Sequence, residues 1–382
     1  MLNRVEVRPE LLRWARERSG RSLESLGERF PYLIAWEKGQ SRPTLKQLEL
    51  FAKATFSPIG YLFLSAPPQE RVPIPDFRTM GGRRPGPPSA NLLDAIFLCQ
   101  QRQEWYRDFA RKTGEPKRAF VGSAKITQSV ETAADEIRRA LGFDLEERRK
   151  IPTWTDALRR FIDQADSLGA LVMVSGVVGT NNRRKLDPEE FRGFAICDES
   201  APLVFVNGAD TRAAQMFTLA HELAHLWLGE SAISDANPIA LPSQKTENWC
   251  DRVAAELLVP LAEMRADFRP DADLREELDR LARRFKVSVL VVLRRIHDLG
   301  AISQKELWEI YRKELERLAS IAKGAGGDFY LTQSARAGKR FSRALVANVF
   351  EGQTSFTEAF RLLGVKKPET LRRFGAELGV KI

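Results

Sequence analysis

The stretch FTLAHELAHLW, residues 217–227, sets the strongest condition on how this chain folds. Its apolar positions, Phe217, Leu219, Ala220, Leu223, Ala224, Leu226 and Trp227, surround a helix of 3.6-residue period rather than forming one stripe along it. A helix that is apolar nearly all round belongs in a core. Yet this one carries His221, Glu222 and His225, and burying such polar groups is costly unless something pairs with them. Residues four apart stand on one helix face one turn apart, so the two imidazoles can converge on a single point. That point suits a zinc ion, at ~2.0–2.1 Å from each nitrogen. Glu222, next to the first histidine, projects beside the ion rather than into it, where a carboxylate serves as general base toward water.

A catalytic zinc site needs a third protein ligand and keeps one position open. Downstream, TENWCDRVAAELLVP (246–260) reads as a second apolar helix running into Pro260, with Glu247 and Asp251 four apart on one face. Glu247 is the candidate third ligand. Asp251 is placed to accept the outer ring N–H of a ligating histidine and so fix its tautomer. Cys250, three residues from Glu247, is the alternative ligand, because thiolate binds zinc well; a closed site that included it would be structural or sensory instead. As a lone small residue in an apolar helix it is expected to serve packing, and Glu256 is expected to be structural or solvated. His297, in RRIHDLG on a charged helix, is expected at the surface.

Strand signals are confined to ALVMV (170–174), FRGFAIC (191–197) and PLVFV (202–206), the last two flanking DESA as a hairpin. An extended substrate is expected to pair along an exposed strand of that hairpin. Everything else reads as helix and turn, including helices over about 90–112 with Ser89 as N-cap, 128–141 and 153–167. The expected class is therefore α+β, mostly helical with a small antiparallel sheet. GESAISDANPIALPSQK (229–245) is either a plain connection between the two ligand helices or a lid over them.

These features resemble the ImmA/IrrE metallopeptidases, minimal gluzincin-like enzymes, through FTLAHELAHLWLG followed 22 residues after His225 by ExxxD and VAAELLVP. The resemblance implies that His221, His225 and Glu247 bind Zn2+, that Glu222 is the general base, and that a short sheet packs on the metal helix. It also implies a substrate class: a protein partner, such as a repressor or an antitoxin.

Ahead of this region, LLRWARERSGRSLESLGERFPYLIAWEKGQSRPTLKQLELFAKATFSPIGYLFL resembles the XRE-type helix-turn-helix domain, with WEKG and PTLKQLELFA carrying the likeness. Between Leu26 and Trp36 the chain offers ERFPYLIA, shorter than the usual turn plus recognition helix, and base reading uses the first residues of that helix. Double-stranded DNA and a protein contact are therefore both open as the role of this unit. The segment APPQERVPIPDFRTMGGRRPGPP (66–88) is too rich in Pro and Gly for helix or sheet pairing to persist, so it reads as a linker or strap. The resulting division is 1–65, a linker over 66–88, a peptidase-like domain over 89–300 and a helical domain over 301–382. Two helix pairs, 277–300 and 355–378, turn about Lys286-Val287-Ser288 and Gly364-Val365, and both are expected to be structural.

Sixty Lys and Arg against 51 Asp and Glu give a net charge of +9, which favours encounters with polyanions without requiring one. The longest apolar stretch, LGALVMVSGVVG (168–179), is too short and glycine-rich for a membrane span. Three cysteines form neither a disulfide framework nor a CxxC pair, and MLNRVEVRPE lacks the apolar core of a secretory signal, so a cytoplasmic setting is expected. The zinc peptidase reading thus stands beside a second one, a DNA-binding regulator or antitoxin with a structural or sensory zinc site; oligomers are compatible with either.

Overall fold

A computed structural model describes residues 4–70, 72–77, 88–234, 244–320 and 329–381, with backbone alone for 318–320 and 329–331. The chain divides into two compact units, one comprising residues up to Pro73 with Gly86–Ile96, the other Ile74–Pro85 with Phe97–Ile382.

The first unit holds α1 (Pro9–Arg18), α2 (Leu23–Gly27), α3 (Leu33–Glu37), α4 (Leu45–Ala54) and a 3-10 turn over Ile59–Phe63. Local chemistry sets these boundaries. Pro9 opens α1, where a missing N–H costs nothing, and Thr44 with Gln47 closes a capping box on α4. Leu11, Leu12, Leu26, Phe30, Leu33, Trp36, Leu48, Phe51 and Leu62 make its core. α3 has only five residues; Glu37 at its end is buried and receives the Arg16 guanidinium at 2.7 Å, while Tyr32 and Ile34 are exposed.

The long helix α5 (Ala90–Thr113) begins in that unit and continues into the second, with its start capped as expected by Ser89, which accepts from the Leu92 N–H at 3.1 Å. Then follow α6 (Val130–Leu141), α7 (Leu145–Lys150), α8 (Trp154–Leu168), β1 (Leu171–Ser175), β2 (Gly193–Ile196), β3 (Leu203–Asn207), α9 (Arg212–Leu228), β4 (Ala232–Ser234) and α10 (Lys245–Leu258). The rest is helical: α11 (Leu261–Asp267), α12 (Leu274–Phe285), α13 (Val289–Asp298), α14 (Gln304–Ser320), α15 (Phe329–Ala337), α16 (Lys339–Phe350), α17 (Phe356–Leu363) and α18 (Pro368–Glu377). The class is α+β, as expected. None of the described helices is long and apolar enough to cross a membrane.

The sheet departs from the expected antiparallel form. Its order is β1-β3-β2-β4, with β1 parallel to β3 and the pairs β2·β3 and β2·β4 antiparallel. The hairpin itself forms, but residues 176–192 carry the chain past β1 so that β3 returns between β1 and β2. Both faces are covered, which explains why the strands read as unbroken apolar runs with no direction legible in them. Val172, Val174, Ala195, Val204 and Val206 join the core of α8 and α9. On the opposite side α15 and α16 pack on β1, and Gln103 of α5 donates to the carbonyls of Ile196 and Ala201, each at 2.8 Å. The C-terminal helices thus share one unit with the sheet.

One further correction and one partial view bear on function. Both hairpin strands are internal, so neither offers a free edge to a substrate; the described edges are β1 and β4. Within 229–245, residues 232–234 form edge strand β4, and 235–243, the tip of the candidate lid, lies outside the described residues. Of the proposed linker, Arg71 and 78–87 also lie outside them, whereas the stretch around Asp76 is ordered against Ile233.

Candidate active site

α9 starts where Thr211 accepts from the Ala214 N–H at 3.2 Å and stops at Gly229, whose φ of +75° favours glycine. Packed on β2, β3, α8 and α10, it is buried from Gln215 to Trp227. Its polar residues are therefore enclosed: His221, Glu222 and His225 are each 0% exposed. α10 lies against α9 and adds Glu247 and Asp251, both buried.

The expected ligands converge. His225 Nε2 stands 3.1 Å from His221 Nε2 and 3.0 Å from Glu247 Oε1, and His221 Nε2 stands 3.4 Å from Glu247 Oε2. Ligands held ~2.0–2.1 Å from one ion in a tetrahedron lie ~3.3–3.4 Å apart, so this triangle has the size of three corners of a zinc site. The donor chemistry agrees. His221 Nδ1–H donates to Asp251 Oδ1 at 2.8 Å, which leaves its Nε2 lone pair facing the other two groups. Glu247 Oε1, close as it is to His225 Nε2, has no hydrogen-bond geometry to any described partner. Lone pairs gathered in a buried pocket are stable around a cation. Among the described residues, His221, His225 and Glu247 are the group able to hold a metal ion.

The same groups act strongly on one another. Burial would raise Glu247, but the His221 and His225 imidazoles set against it hold it down at about 2. Burial would lower His221, yet the bonds and charges of Asp251 and Glu247 carry it well above the ordinary histidine value. Glu222 behaves differently: burial pushes its carboxyl up to about 8, against the opposing pull of His221 and of Ser234. A dication beside it would pull that value back toward neutrality, the range in which a general base is effective. Its Oε1 accepts from the Ser234 hydroxyl of β4, and its Oε2 has no described partner.

Cys250 is excluded from the group; it is fully buried in α10 with its thiol held well above the usual range by burial, as a packing residue. His297 sits on α13, also outside the group, with its side chain 28% exposed. Glu256 is structural: it receives Arg295 and accepts the Leu261 N–H at 3.2 Å at the start of α11.

Three neighbours escaped the sequence reading. Ser234 lies in a three-residue strand, too short to register. Gly193 had a signal, a glycine inside a strand, which marks close backbone approach; a Cβ there would stand 2.6 Å from Thr218 Cγ2 and 2.8 Å from Glu222 Oε1. Phe77, hidden in the Pro-rich segment, places its ring centroid 6.5 Å from that of His225.

No curated protein matches the chain. Residues 337–377 match a family described as a domain of unknown function, DUF8813. Residues 165–297, which hold the sheet, α9, α10 and every residue of the His-His-Glu group, match the family Peptidase M78, described as an IrrE N-terminal-like domain, and so support the likeness of this region to the ImmA/IrrE peptidases.

Proposed function

We propose that the protein is a zinc-dependent endopeptidase that cleaves a protein partner, a repressor or an antitoxin, in the setting of transcriptional regulation. The observation that carries this reading is the buried triangle of His221, His225 and Glu247 beside the Glu222 carboxylate, one oxygen of which has no partner among the described residues. When bound, zinc supplies a Lewis acid that polarises the peptide carbonyl and acidifies water. The protein's own groups do the rest. Asp251 holds His221 with its Nε2 bare, Ser234 fixes Glu222 Oε1, and Glu222 Oε2 takes the proton of the attacking water and returns it to the leaving amine. The α9 core shields these groups from bulk water, which strengthens each interaction.

In this reading the first unit selects the partner. Its five-residue α3 turns Glu37 inward onto Arg16 and exposes Tyr32 and Ile34, an apolar surface better suited to a protein than to base edges. Glu222→Gln is the test. It retains the zinc ligands, so zinc binding persists while cleavage of an unstructured protein substrate falls by ~10²–10⁴-fold. Equal cleavage by the variant removes Glu222 from the mechanism.

A further inference from the structure

β4 is the sheet edge beside the site, and it is occupied. Ile233 turns its own N–H and C=O away from β2, because only its neighbours Ala232 and Ser234 meet β2 at hydrogen-bonded positions. Those two groups are taken by the chain itself: Pro75 C=O accepts from the Ile233 N–H at 2.9 Å, and the Phe77 N–H donates to Ile233 C=O at 3.0 Å. The result is a parallel bridge between Asp76 and Ile233. Ile74 anchors this strap by burial, and Pro75, which has no N–H, adds no donor to the pairing at its N-terminal side.

The strap runs along the catalytic groups. Ser234, next to the paired Ile233, holds Glu222, while the Phe77 ring stands near His225. An extended peptide brought to this site needs main-chain partners, and the groups of Ile233 are the pair that edge strand β4 presents beside Glu222. We propose that the outer edge of β4 is the peptide-binding edge of the site, and that residues 74–77 are its resident occupant, a built-in competitor that an extended protein segment must displace. This rests on the peptidase reading. The pairing fits a displaceable strap: among the described residues, two main-chain bonds join it to β4.

The test uses the full chain and two variants, Phe77→Pro, which removes a donor and the ring, and Ile74→Ser, which weakens the anchor without touching His225. Both are expected to expose the Ile233 amide to faster hydrogen exchange. With zinc bound, both are expected to lower KM for an unstructured fluorogenic peptide by at least about tenfold, with kcat little changed in Ile74→Ser, since apparent affinity scales with the open fraction. An Ile233 amide as protected in both variants as in the parent, or faster exchange without a fall in KM, overturns the proposal. If no zinc-loaded chain, parent or variant, cleaves any peptide, the peptidase reading is what fails. The strap is then judged on zinc-free chains with a labelled VPIPDFR peptide: binding to the variants and not to the parent supports it, and binding that does not distinguish them overturns it.

Discussion

Asp251 ligates nothing in this reading, yet its removal is expected to weaken zinc binding in a graded way. It lies one helical turn beyond Glu247 and accepts from His221 Nδ1–H at 2.8 Å, both groups being buried. The bond orients the ring, keeps Nε2 free of a proton and makes it more basic. Losing such a support costs about 10–100-fold in metal affinity, or ~1.4–2.7 kcal/mol. The two ends of that range belong to different variants. Asp251→Asn keeps an acceptor oxygen and the tautomer but loses the charge, so it falls near the tenfold end. Asp251→Ala leaves a buried N–H without a partner and the ring free to turn, which places it near the hundredfold end. Competition titration against a chromophoric zinc chelator at neutral pH reads the series directly, with circular dichroism confirming that each chain is folded. Cys250→Ala is the control and is expected to bind zinc as the parent does. Equal affinity in the parent and both Asp251 variants, or a loss in Cys250→Ala, would refute the assignment.

Other substitutions test the packing around the site and beyond it. Gly193→Ala places a methyl 2.6 Å from Thr218 Cγ2, 2.8 Å from Glu222 Oε1 and 2.9 Å from the Phe205 carbonyl, so it is expected to destabilise the chain by about 1–3 kcal/mol and to lose cleavage while zinc binding persists; an unchanged melting temperature contradicts this. Asp166 accepts from the Arg340 N–H at 3.0 Å, and burial pushes its carboxyl up to about 7. Because the folded state binds this proton more tightly than the unfolded chain, the contribution of Asp166 is full below about pH 4 and is lost as pH rises through 7, by about 4 kcal/mol at most. The stability of the parent relative to Asp166→Asn should therefore decline over that window in denaturant titrations, and a flat difference would show that the group is not buried as described.

The parts of the site that were legible in the sequence share a physical cause. An all-round apolar helix holding HExxH has one economical explanation, and a carboxylate pair at i and i+4 on the next apolar helix offers to complete it, so His221 and His225 stand out from spacing, with Glu247 and Asp251 as candidates beside Cys250 until the resemblance is added. Local caps were equally legible, as at Ser89, because they depend only on neighbours along the chain. What stayed hidden depends on partners far away in sequence. Strands buried on both faces carry no alternation, so the parallel pairing of β1 with β3 leaves no trace in LVMV or LVFV. The triplet Ala232-Ile233-Ser234 is too short to show a period, and its place at the sheet edge follows from the path of residues 176–192. Pro73 and Pro75 left linker and strap both open, because proline still offers a C=O, and a segment that uses the Pro75 C=O and the Phe77 N–H can pair on an edge strand.

In the proposed site one zinc ion is held by two imidazoles and one carboxylate, with no sulfur. Zinc K-edge X-ray absorption of the zinc-loaded full chain tests it most directly. The expected spectrum shows four nitrogen and oxygen ligands at ~2.0–2.1 Å with the outer-ring scattering of two histidines, three of the four coming from the protein and one from water. A sulfur shell at ~2.3 Å would contradict it by placing Cys250 on the metal, and so would an unchanged spectrum in Glu247→Ala.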